Sequence, residues 1–394
     1  MKNILIVSQE LPYPLKTGGQ VSIYARALGL SNGNCVDLCT VNLENLKLSD
    51  KLLEKNLVFL NKIYLFPRYI PSLFQKNSVF KSIHFFLINF FLQKIPRSVQ
   101  IVENNGVYEF LKVNHKKYDL ILFENNNTFY QYILCSSFIP KNKVALITHN
   151  IEHKLAFDNY KIAKNPFIKF YLYVEYRKLI LYENKVYSLS PLTYSISIED
   201  FKVLTKNFRG NFKYLPQHIR PISYKWKYIG SKKVIFNSNL NFAPNLDGLL
   251  WYLDNVHLRV LALEPKYTLI VTGNFFHLSN LFGKYTSIVF TGFLDKEEFF
   301  KKFLEADVMI NPVMKGSGVK IKVLDAISIG IPVISTKHSA SGIDKSLKVF
   351  QHDTPCEFAE SVLKGLKNEL NFKIVDINNY NSICNNSLIN IREC

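Results

Sequence analysis

The residues best suited to chemistry lie in one stretch, NPVMKGSGVKIKVLDAISIGIPVIST, at 311–336. A short apolar run leads into the turn Gly316–Gly318, and the helical pattern that follows carries Lys320, Lys322 and Asp325. Glycines let a main chain approach a ligand closely, and the N–H groups at the start of a helix favour an anion. The stretch predicts a phosphate site where the lysines add positive charge and the acid accepts hydrogen bonds from sugar hydroxyls. An ordinary strand-to-helix turn with solvated lysines is the alternative.

The elements that must position this stretch form two series of short apolar runs separated by helical patterns. Such runs, rich in β-branched residues, are typical of parallel strands covered on both faces. The first series comprises 3–8, 36–41, 62–66, 119–123, 144–148 and 194–198, and the second comprises 233–240, 267–273, 287–293, 308–313 and 332–336. Helices are predicted from about Asn245 and over 355–366. The fold class is therefore α/β, with two doubly wound domains in tandem.

A basic, aromatic segment at 206–232 interrupts the two series with prolines and shows no clear period. We interpret it as the crossing between a first Rossmann-like domain at 1–205 and a second at 233–375, with a tail at 376–394. Doubly wound sheets bind ligands at the carboxyl ends of their strands. Two such sheets facing a central cleft would suit a reaction with a separate donor and acceptor.

The composition limits the classes of partner. The 394 residues include 49 Lys and Arg against 31 Asp and Glu, a formal charge of +18. This balance favours an anionic partner, namely nucleic acid, acidic lipid or a phosphorylated small molecule, although a biased composition rich in Lys, Asn, Ile and Phe would also produce it. The basic residues are dispersed and accompany no nucleic-acid motif, so nucleic acid is not expected.

Targeting and metal signals are weak. The six cysteines show no CxxC framework, which predicts reduced structural thiols and no metal site. The start MKNILIVSQELPYP is better suited to a first strand than to a signal peptide, and we expect a cytoplasmic protein. The apolar run at 83–92 falls short of the ~20 residues that span a bilayer. A helix over 79–97 could either dip into an anionic membrane surface or be buried in the first domain.

Several motifs together resemble a known family. The run FNSNLNFAPNLDGLLWYLDNV, then TLIVTG, IVFTGFLD and the stretch at 311–336, resembles the donor-binding domain of retaining GT-B glycosyltransferases. The nearest group is family 4, in a subgroup with PNxDG, FTGFxD and GSGxKxKxLDA motifs. PYPLKTGGQVSIYARALGL and THNIEH resemble motifs of the same family's first domain. The resemblance implies the GT-B fold, with an acceptor-side first domain and a nucleotide-sugar-binding second domain.

The resemblance also implies roles for individual residues. In the second domain, the donor diphosphate would lie on the amides of Gly316, Ser317 and Gly318, and Lys320 and Lys322 would neutralise it as it leaves. Asp325 would hold the ribose hydroxyls. The base would be bordered by Gly273, Gly292 and Phe293. From the first domain, Gly18 and Gly19 would approach the diphosphate or sugar, and His149 would lie beside the transferred sugar, where it could donate a hydrogen bond or shift protons.

The implied activity is retaining transfer of a sugar, of the hexosyltransferase type, from a nucleotide-diphosphate sugar to a glycan or lipid-linked glycan in surface polysaccharide synthesis. The departing diphosphate gains negative charge, which lysines and backbone dipoles can stabilise without a metal. No D-x-D motif occurs in the sequence, and we expect no metal and no cofactor other than the donor. A lipid-linked acceptor would place the protein at the inner face of the cell membrane, against anionic lipid.

Some positions depart from the family pattern. Ser317 stands where many relatives have an acid, the later G-A-E-G reads Ser339–Gly342, and the tail does not show the pattern of the usual long final helix. Two alternatives therefore stay open: a nucleotide-sugar 2-epimerase, and a degenerate homologue that binds a nucleotide or a partner glycosyltransferase without catalysis. The base, sugar, acceptor and linkage are not encoded in these motifs.

Overall fold

The computed structural model describes residues 1–42, 55–67, 94–274, 285, 287–316 and 318–389. These residues form two compact units, Met1–His218 with the segment from Ser382, and Ile219–Asn381. Each unit contains one parallel sheet with helices, which confirms the predicted α/β class. Ser317 and most of the proposed membrane helix at 79–97 lie outside the described residues.

The first unit contains a seven-stranded sheet in the order β3-β2-β1-β4-β5-β6-β7, with every neighbouring pair parallel. The strands are β1 Asn3–Ser8, β2 Cys35–Asn42, β3 Lys62–Pro67, β4 Leu120–Glu124, β5 Val144–Thr148, β6 Thr193–Ser195 and β7 Phe212–Tyr214. The helices are α1 Gly18–Ser31, α2 Arg97–Val102, α3 Asn105–Asn114, α4 Phe129–Cys135, α5 Glu152–Ile162, α6 Pro166–Leu189 and α7 Ile198–Asn207. The strand order reverses between β1 and β4, which is where doubly wound sheets bind ligands.

The second unit contains a six-stranded parallel sheet in the order β10-β9-β8-β11-β12-β13. Its strands are β8 Lys233–Asn237, β9 Thr268–Thr272, β10 Ile288–Gly292, β11 Val308–Asn311, β12 Val333–Ser335 and β13 Phe350–Gln351. Its helices are α8 Ala243–Tyr252, which continues through a π-turn into α9 Leu258–Leu263, then α10 Lys296–Leu304, α11 Ile321–Ile329, α12 Lys337–Ala340 and α13 Pro355–Leu366. The order reverses between β8 and β11.

Local sequence explains why the key elements start and end where they do. The side chain of Thr17 accepts a hydrogen bond from Gln20 N, and the Gln20 side chain accepts one from Thr17 N, so a capping box starts α1. Strands β4 and β5 are buried along their whole length, as continuous apolar runs predict. Helix α11 ends at Gly330, whose φ of 94° is left-handed.

The structure divides and ends the chain differently from two of these interpretations. The segment 206–232 is not a free crossing, because it contains β7, whose three residues pair with β6, and the units divide at His218. The strand was too short to show a period. The tail was expected to lack a final helix, yet α14 runs over Ile377–Ile389. From Ser382 onward this helix belongs to the first unit, where Asn385 Nδ2 donates to Gly29 O at 2.7 Å. Its many Asn residues concealed the helical pattern.

Candidate functional site

The predicted phosphate turn lies at the carboxyl end of β11 and leads into α11. Gly316 and Gly318 have φ values of 95° and 75°, the left-handed region that side chains rarely adopt. The His338 imidazole donates from Nε2 to Gly316 O at 2.9 Å. The turn thus has a backbone shape that requires glycine, and it lies beside the reversal point of the sheet.

Lys320 fixes the turn from its helix side. Its ammonium group donates to Gly318 O at 3.1 Å and to Gly316 O at 3.4 Å. The lysine precedes α11, whose first N–H groups have no partner within the helix. A positive charge and a helix start therefore lie together at the turn, which is the combination that attracts a phosphate group.

Lys322 is partly buried against neutral groups. Its Nζ donates to Ser238 Oγ at 2.7 Å and to Asn245 Oδ1 at 3.2 Å, and it lies 5.1 Å from the centre of the Phe236 ring. Burial, followed by the charge of Lys320, lowers the pKa of Lys322 to about 7. No carboxylate of the described residues forms an ion pair with it within 4.0 Å. This lysine can therefore gain a full positive charge when an anion binds beside it.

Asp325 has a partner that the sequence did not suggest. Arg220 donates from Nε to Asp325 Oδ1 at 2.6 Å and from Nη2 to Oδ2 at 2.7 Å. A two-point pair of this kind fixes the plane of the carboxylate. Each carboxylate oxygen retains further acceptor capacity, so the pair orients Asp325 and still allows it to accept from hydroxyls.

The predicted base-binding residues lie at the next strand ends of the same sheet. Gly273 follows β9 and donates from its N–H to the O of Gly292 at 2.9 Å. A Cβ on Gly273 would come within 2.0 Å of Ser238 O, so the strand end packs directly against the residue that holds Lys322. Phe293, next to Gly292, is 82% exposed. The structure therefore brings Gly273, Gly292 and Lys322 to one edge of the sheet.

The PNxDG motif supports the same edge, although the sequence reasoning assigned its residues no role. Asn245 contacts Lys322, and Asp247 forms an exposed ion pair with Lys315 at 3.2 Å. A Cβ on Gly248 would lie 2.9 Å from Pro312 O, so this glycine lets α8 pack against the start of the turn. The sequence did offer a signal for this role, because the PNxDG motif was among the motifs that resemble the family.

In the first unit, His149 belongs to a buried charged cluster. It follows β5 and donates from Nε2 to Glu124 Oε2 at 2.7 Å. Arg26 of α1, fully buried, donates from Nε to Glu124 Oε1 at 2.6 Å. Burial alone would raise the pKa of the Glu124 carboxyl, but Arg26 and His149 lower it to about 2. Glu124 is therefore an anion that fixes the His149 ring and leaves Nδ1 as the second functional nitrogen.

His218 completes this cluster as a neutral ring. Burial, together with the charge of Arg26, lowers the pKa of His218 to about 3. Its Nε2 lies 2.9 Å from Asn385 Oδ1, so Nε2 carries the hydrogen, and Nδ1 lies 3.5 Å from Arg26 Nη1. No local sequence pattern marked Glu124 or His218.

The residues after His149 are tied to α6 through Glu183. This buried carboxylate accepts from the backbone N–H of Glu152 at 3.0 Å and from His153 Nδ1 at 2.5 Å. Burial, followed by the charge of Glu183, raises the pKa of Glu152 to about 7. The chain segment that carries His149 is thus anchored at both ends.

Gly18 and Gly19 begin α1 at the carboxyl end of β1. A Cβ on Gly19 would lie 2.5 Å from Glu10 Oε1, so the glycine makes room for this carboxylate.

The described residues contain no group of three or more His, Cys, Asp or Glu able to hold a metal ion. They also include no helix long and apolar enough to cross a bilayer.

Comparisons with known proteins agree with this architecture. The sequence model of the family described as "Glycosyl transferases group 1" matches residues 231–368. A Klebsiella pneumoniae protein named "Uncharacterized 44.6 kDa protein in cps region" is 27% identical over 403 residues, covering 98% of this chain and 96% of that protein.

Three solved structures resemble the whole chain. They are sucrose-phosphate synthase from Thermosynechococcus elongatus (TM-score 0.61, 14% identity, 98% of this chain and 95% of that one), TarM from S. aureus (0.61, 10%, 99% and 96%) and HepE from Anabaena in complex with UDP (0.55, 16%, 100% and 98%). The chain therefore has the GT-B fold, with two parallel-sheet α/β domains.

Proposed function

We propose that the protein is a retaining glycosyltransferase that moves a hexose from a nucleotide-diphosphate sugar to a glycan or lipid-linked glycan in surface polysaccharide synthesis. The observation that carries the proposal is Lys322, whose pKa of about 7 and neutral contacts suit it to receive an anion at the turn after β11. The match to the glycosyltransferase family model over the same unit supports it. So does the relative named for a cps region, which we interpret as capsular polysaccharide.

In this proposal the second unit binds the donor. The diphosphate lies at Gly316–Gly318 and the start of α11, with charge from Lys320 and Lys322 opposing the negative charge that grows as the sugar leaves. Asp325, held by Arg220, accepts from the ribose hydroxyls. The base lies near Gly273, Gly292 and Phe293. The bound UDP of HepE makes UDP-sugars the first donors to test.

The first unit would contribute His149 next to the transferred sugar, with Glu124 fixing its ring. In the neutral ring, Nε2–H donates to Glu124, so Nδ1 would accept a hydrogen bond from a sugar hydroxyl. Gly18 and Gly19 would let the main chain approach the sugar or diphosphate. Lysines and the helix start supply the charge that a metal supplies elsewhere, and we propose that turnover needs neither a metal nor another cofactor. Full activity in excess EDTA is the expected result.

Lipid-linked acceptors would place the reaction at the cytoplasmic face of the membrane, and we propose an anionic membrane surface as a partner of this basic chain. A single experiment tests the catalytic proposal. The nucleotide sugar that most raises the melting temperature is incubated with the protein, with and without an acceptor glycan fraction, and the products are separated. Transfer that requires the acceptor supports the proposal, whereas conversion of the donor alone would indicate epimerisation.

One observation favours a second candidate, a homologue that binds nucleotide without catalysis. Ser341 stands where the family pattern has an acid near the donor sugar, and its hydroxyl donates to His338 O at 2.8 Å within its own turn. A protein that binds the nucleotide tightly but transfers no sugar to any acceptor would be of this kind.

A further inference from the structure

Helices α5 and α6 pack against each other as a hairpin in the first unit. No residue of α5 is buried, and its main packing partner is α6. The buried residues of α6 all lie from Glu175 onward, towards its carboxyl half. No residue of the opposite half, Pro166–Val174, is buried. The end of this hairpin, residues 160–174, is called the hairpin tip below.

The hairpin tip exposes large apolar side chains. Ile162 is 76% exposed and Phe167 is 84% exposed, and more than half of Ile168 and of Phe170 is also exposed. Asn165 caps the start of α6 by accepting from Phe167 N at 2.9 Å and Ile168 N at 3.2 Å, so these side chains stand on a formed helix. Four large, exposed apolar groups within nine residues of sequence are a marker of an interaction surface.

Aromatic rings make the hairpin rigid beneath this surface. Phe157 and Tyr160 of α5 stack at 5.9 Å between ring centres. Phe157 lies 4.9 Å from Tyr176 of α6, and Tyr160 lies 5.6 Å from Tyr173. These contacts join the two helices along their length, so the exposed tip is presented by an ordered support.

The charge at the tip has one sign. Residues 160–174 include Lys161, Lys164 and Lys169 and no acid. Lys161 lies 4.3 Å from the centre of the Phe157 ring, and Lys169 lies 5.3 Å from that of Tyr160. Among the described residues none of the three lysines forms an ion pair with a carboxylate. The tip therefore combines exposed apolar groups with uncompensated positive charge.

We infer that the hairpin tip docks the protein on the surface of a bilayer that contains anionic lipids, with its apolar side chains inserted among the headgroups and its lysines facing the phosphates. Aromatic and aliphatic side chains beside lysines suit this boundary. A second copy of the chain fits less well, because two positive tips would repel each other. The inference identifies a surface for the membrane partner proposed above, but vesicle binding needs no donor or acceptor and can be tested without them.

Vesicle binding tests the inference with the full chain. Sedimentation with phosphatidylcholine vesicles containing phosphatidylglycerol, and with pure phosphatidylcholine, should show binding to the anionic vesicles only. The double variant Phe167→Gln/Ile168→Gln should lose about tenfold in partition coefficient, because inserted apolar surface drives part of the binding. The variant Lys161→Gln/Lys164→Gln should lose about tenfold or more and show a weaker dependence on salt.

A matched control removes equally exposed apolar groups elsewhere. Leu258 and Leu263 of α9 are 61% and 71% exposed in the second unit, and Leu258→Gln/Leu263→Gln should bind vesicles like the wild type. Wild-type binding in the tip variants would overturn the inference, and so would equal losses in the control.

Self-association of the wild type that the Phe167→Gln/Ile168→Gln variant abolishes, without vesicle binding, would instead assign the tip to contacts between copies. Wild-type transfer to a water-soluble acceptor by a tip variant that no longer binds vesicles would separate this inference from the proposed activity.

Discussion

The pKa of Lys322 predicts that donor binding weakens as the pH rises through neutrality. At a pKa of about 7 the ammonium form is present in about ten of eleven molecules at pH 6 and in about one of eleven at pH 8. If the diphosphate binds the charged form, the apparent Kd varies inversely with that fraction and rises about tenfold over this range. Binding should also take up roughly half a proton at pH 7, because the bound anion raises the pKa of the lysine.

Isothermal titration with a nucleotide sugar measures both quantities, since the diphosphate diester does not titrate in this range. Titrations at pH 6, 7 and 8 give the Kd, and two buffers of different ionisation enthalpy give the proton uptake. Lys322→Met keeps the aliphatic stem and should bind more weakly with a flat pH dependence. Lys315→Met, on the same turn but exposed and paired with Asp247, should keep the tenfold change.

Two results would refute this reasoning. One is a Kd that is the same at pH 6 and pH 8 with no proton uptake, and the other is a Lys322→Met variant that keeps the wild-type slope. His338 also contacts Gly316 O, and a His338→Gln variant that keeps the wild-type pH dependence would show that this side chain does not cause it.

The lowered pKa also has a consequence for stability. The unfolded chain binds more protons than the folded one between about pH 7 and the ordinary lysine value, so stability without ligand should rise with pH across that window. Below pH 7 the burial of the charge opposes folding in full. Lys322→Met should therefore stabilise the unliganded protein most at pH 6, as thermal unfolding would show.

Three further predictions concern the supports of the two sites. Gly273→Ala should cost about 3 kcal/mol or more in thermal unfolding, because it combines a φ of 116° with a clash, whereas Gly33→Ala, with no atom within 4 Å, should cost about 1 kcal/mol. Glu124→Gln should lower the free energy of unfolding by about 3 kcal/mol. Because the pKa of Glu124 is lowered, its contribution to stability is present above pH 4.5 and is lost as the pH falls towards 2. Urea titrations at several pH values would measure both effects. Arg220→Lys should weaken nucleotide binding several-fold but leave pyrophosphate binding unchanged, since the two-point pair orients Asp325 towards the ribose, and equal losses for both ligands in titrations would contradict that role.

Continuous apolar runs made most of the strands predictable. Strands such as β1, β5 and β8 start where the sequence indicated, because a buried parallel strand must be apolar on both faces. The short strands β7 and β13 did not show a pattern, since two or three residues cannot establish a period. Their pairing depends on distant strands. Because β7 was not recognised, the sequence ended the first domain at residue 205, whereas the units divide at His218.

The sequence predicted the residues of the candidate site that need a particular backbone conformation. It did not predict the contacts between side chains that lie far apart in the sequence. Gly316 and Gly318 were identifiable because only glycine adopts their conformation readily. The contacts Arg220–Asp325 and Arg26–Glu124 span 105 and 98 residues of sequence, and no local spacing encodes such pairs. The lowered pKa of Lys322 likewise depends on burial by β8 and α8, which only the folded chain shows.

The exposed hairpin tip was also not predictable from the sequence alone. Its sequence, YKIAKNPFIKFYLYV, reads as an ordinary helical segment with apolar residues, which most often face a core. Only the exposed fractions of these side chains in the folded chain show that Phe167 and Ile168 face solvent. The membrane helix considered at 79–97 was selected on hydropathy, and residues 79–93 lie outside the described residues.

The most direct test of the central claim is the transfer reaction itself, followed by NMR of the product. Wild-type protein given an isotopically labelled nucleotide sugar and an acceptor glycan should form a new glycosidic bond with the anomeric configuration of the donor. The variant Lys320→Ala/Lys322→Ala should form almost none, while Lys315→Ala should match the wild type. Undiminished transfer by the Lys320→Ala/Lys322→Ala variant would contradict the proposed diphosphate site, and an inverted anomeric configuration would contradict the proposed retention.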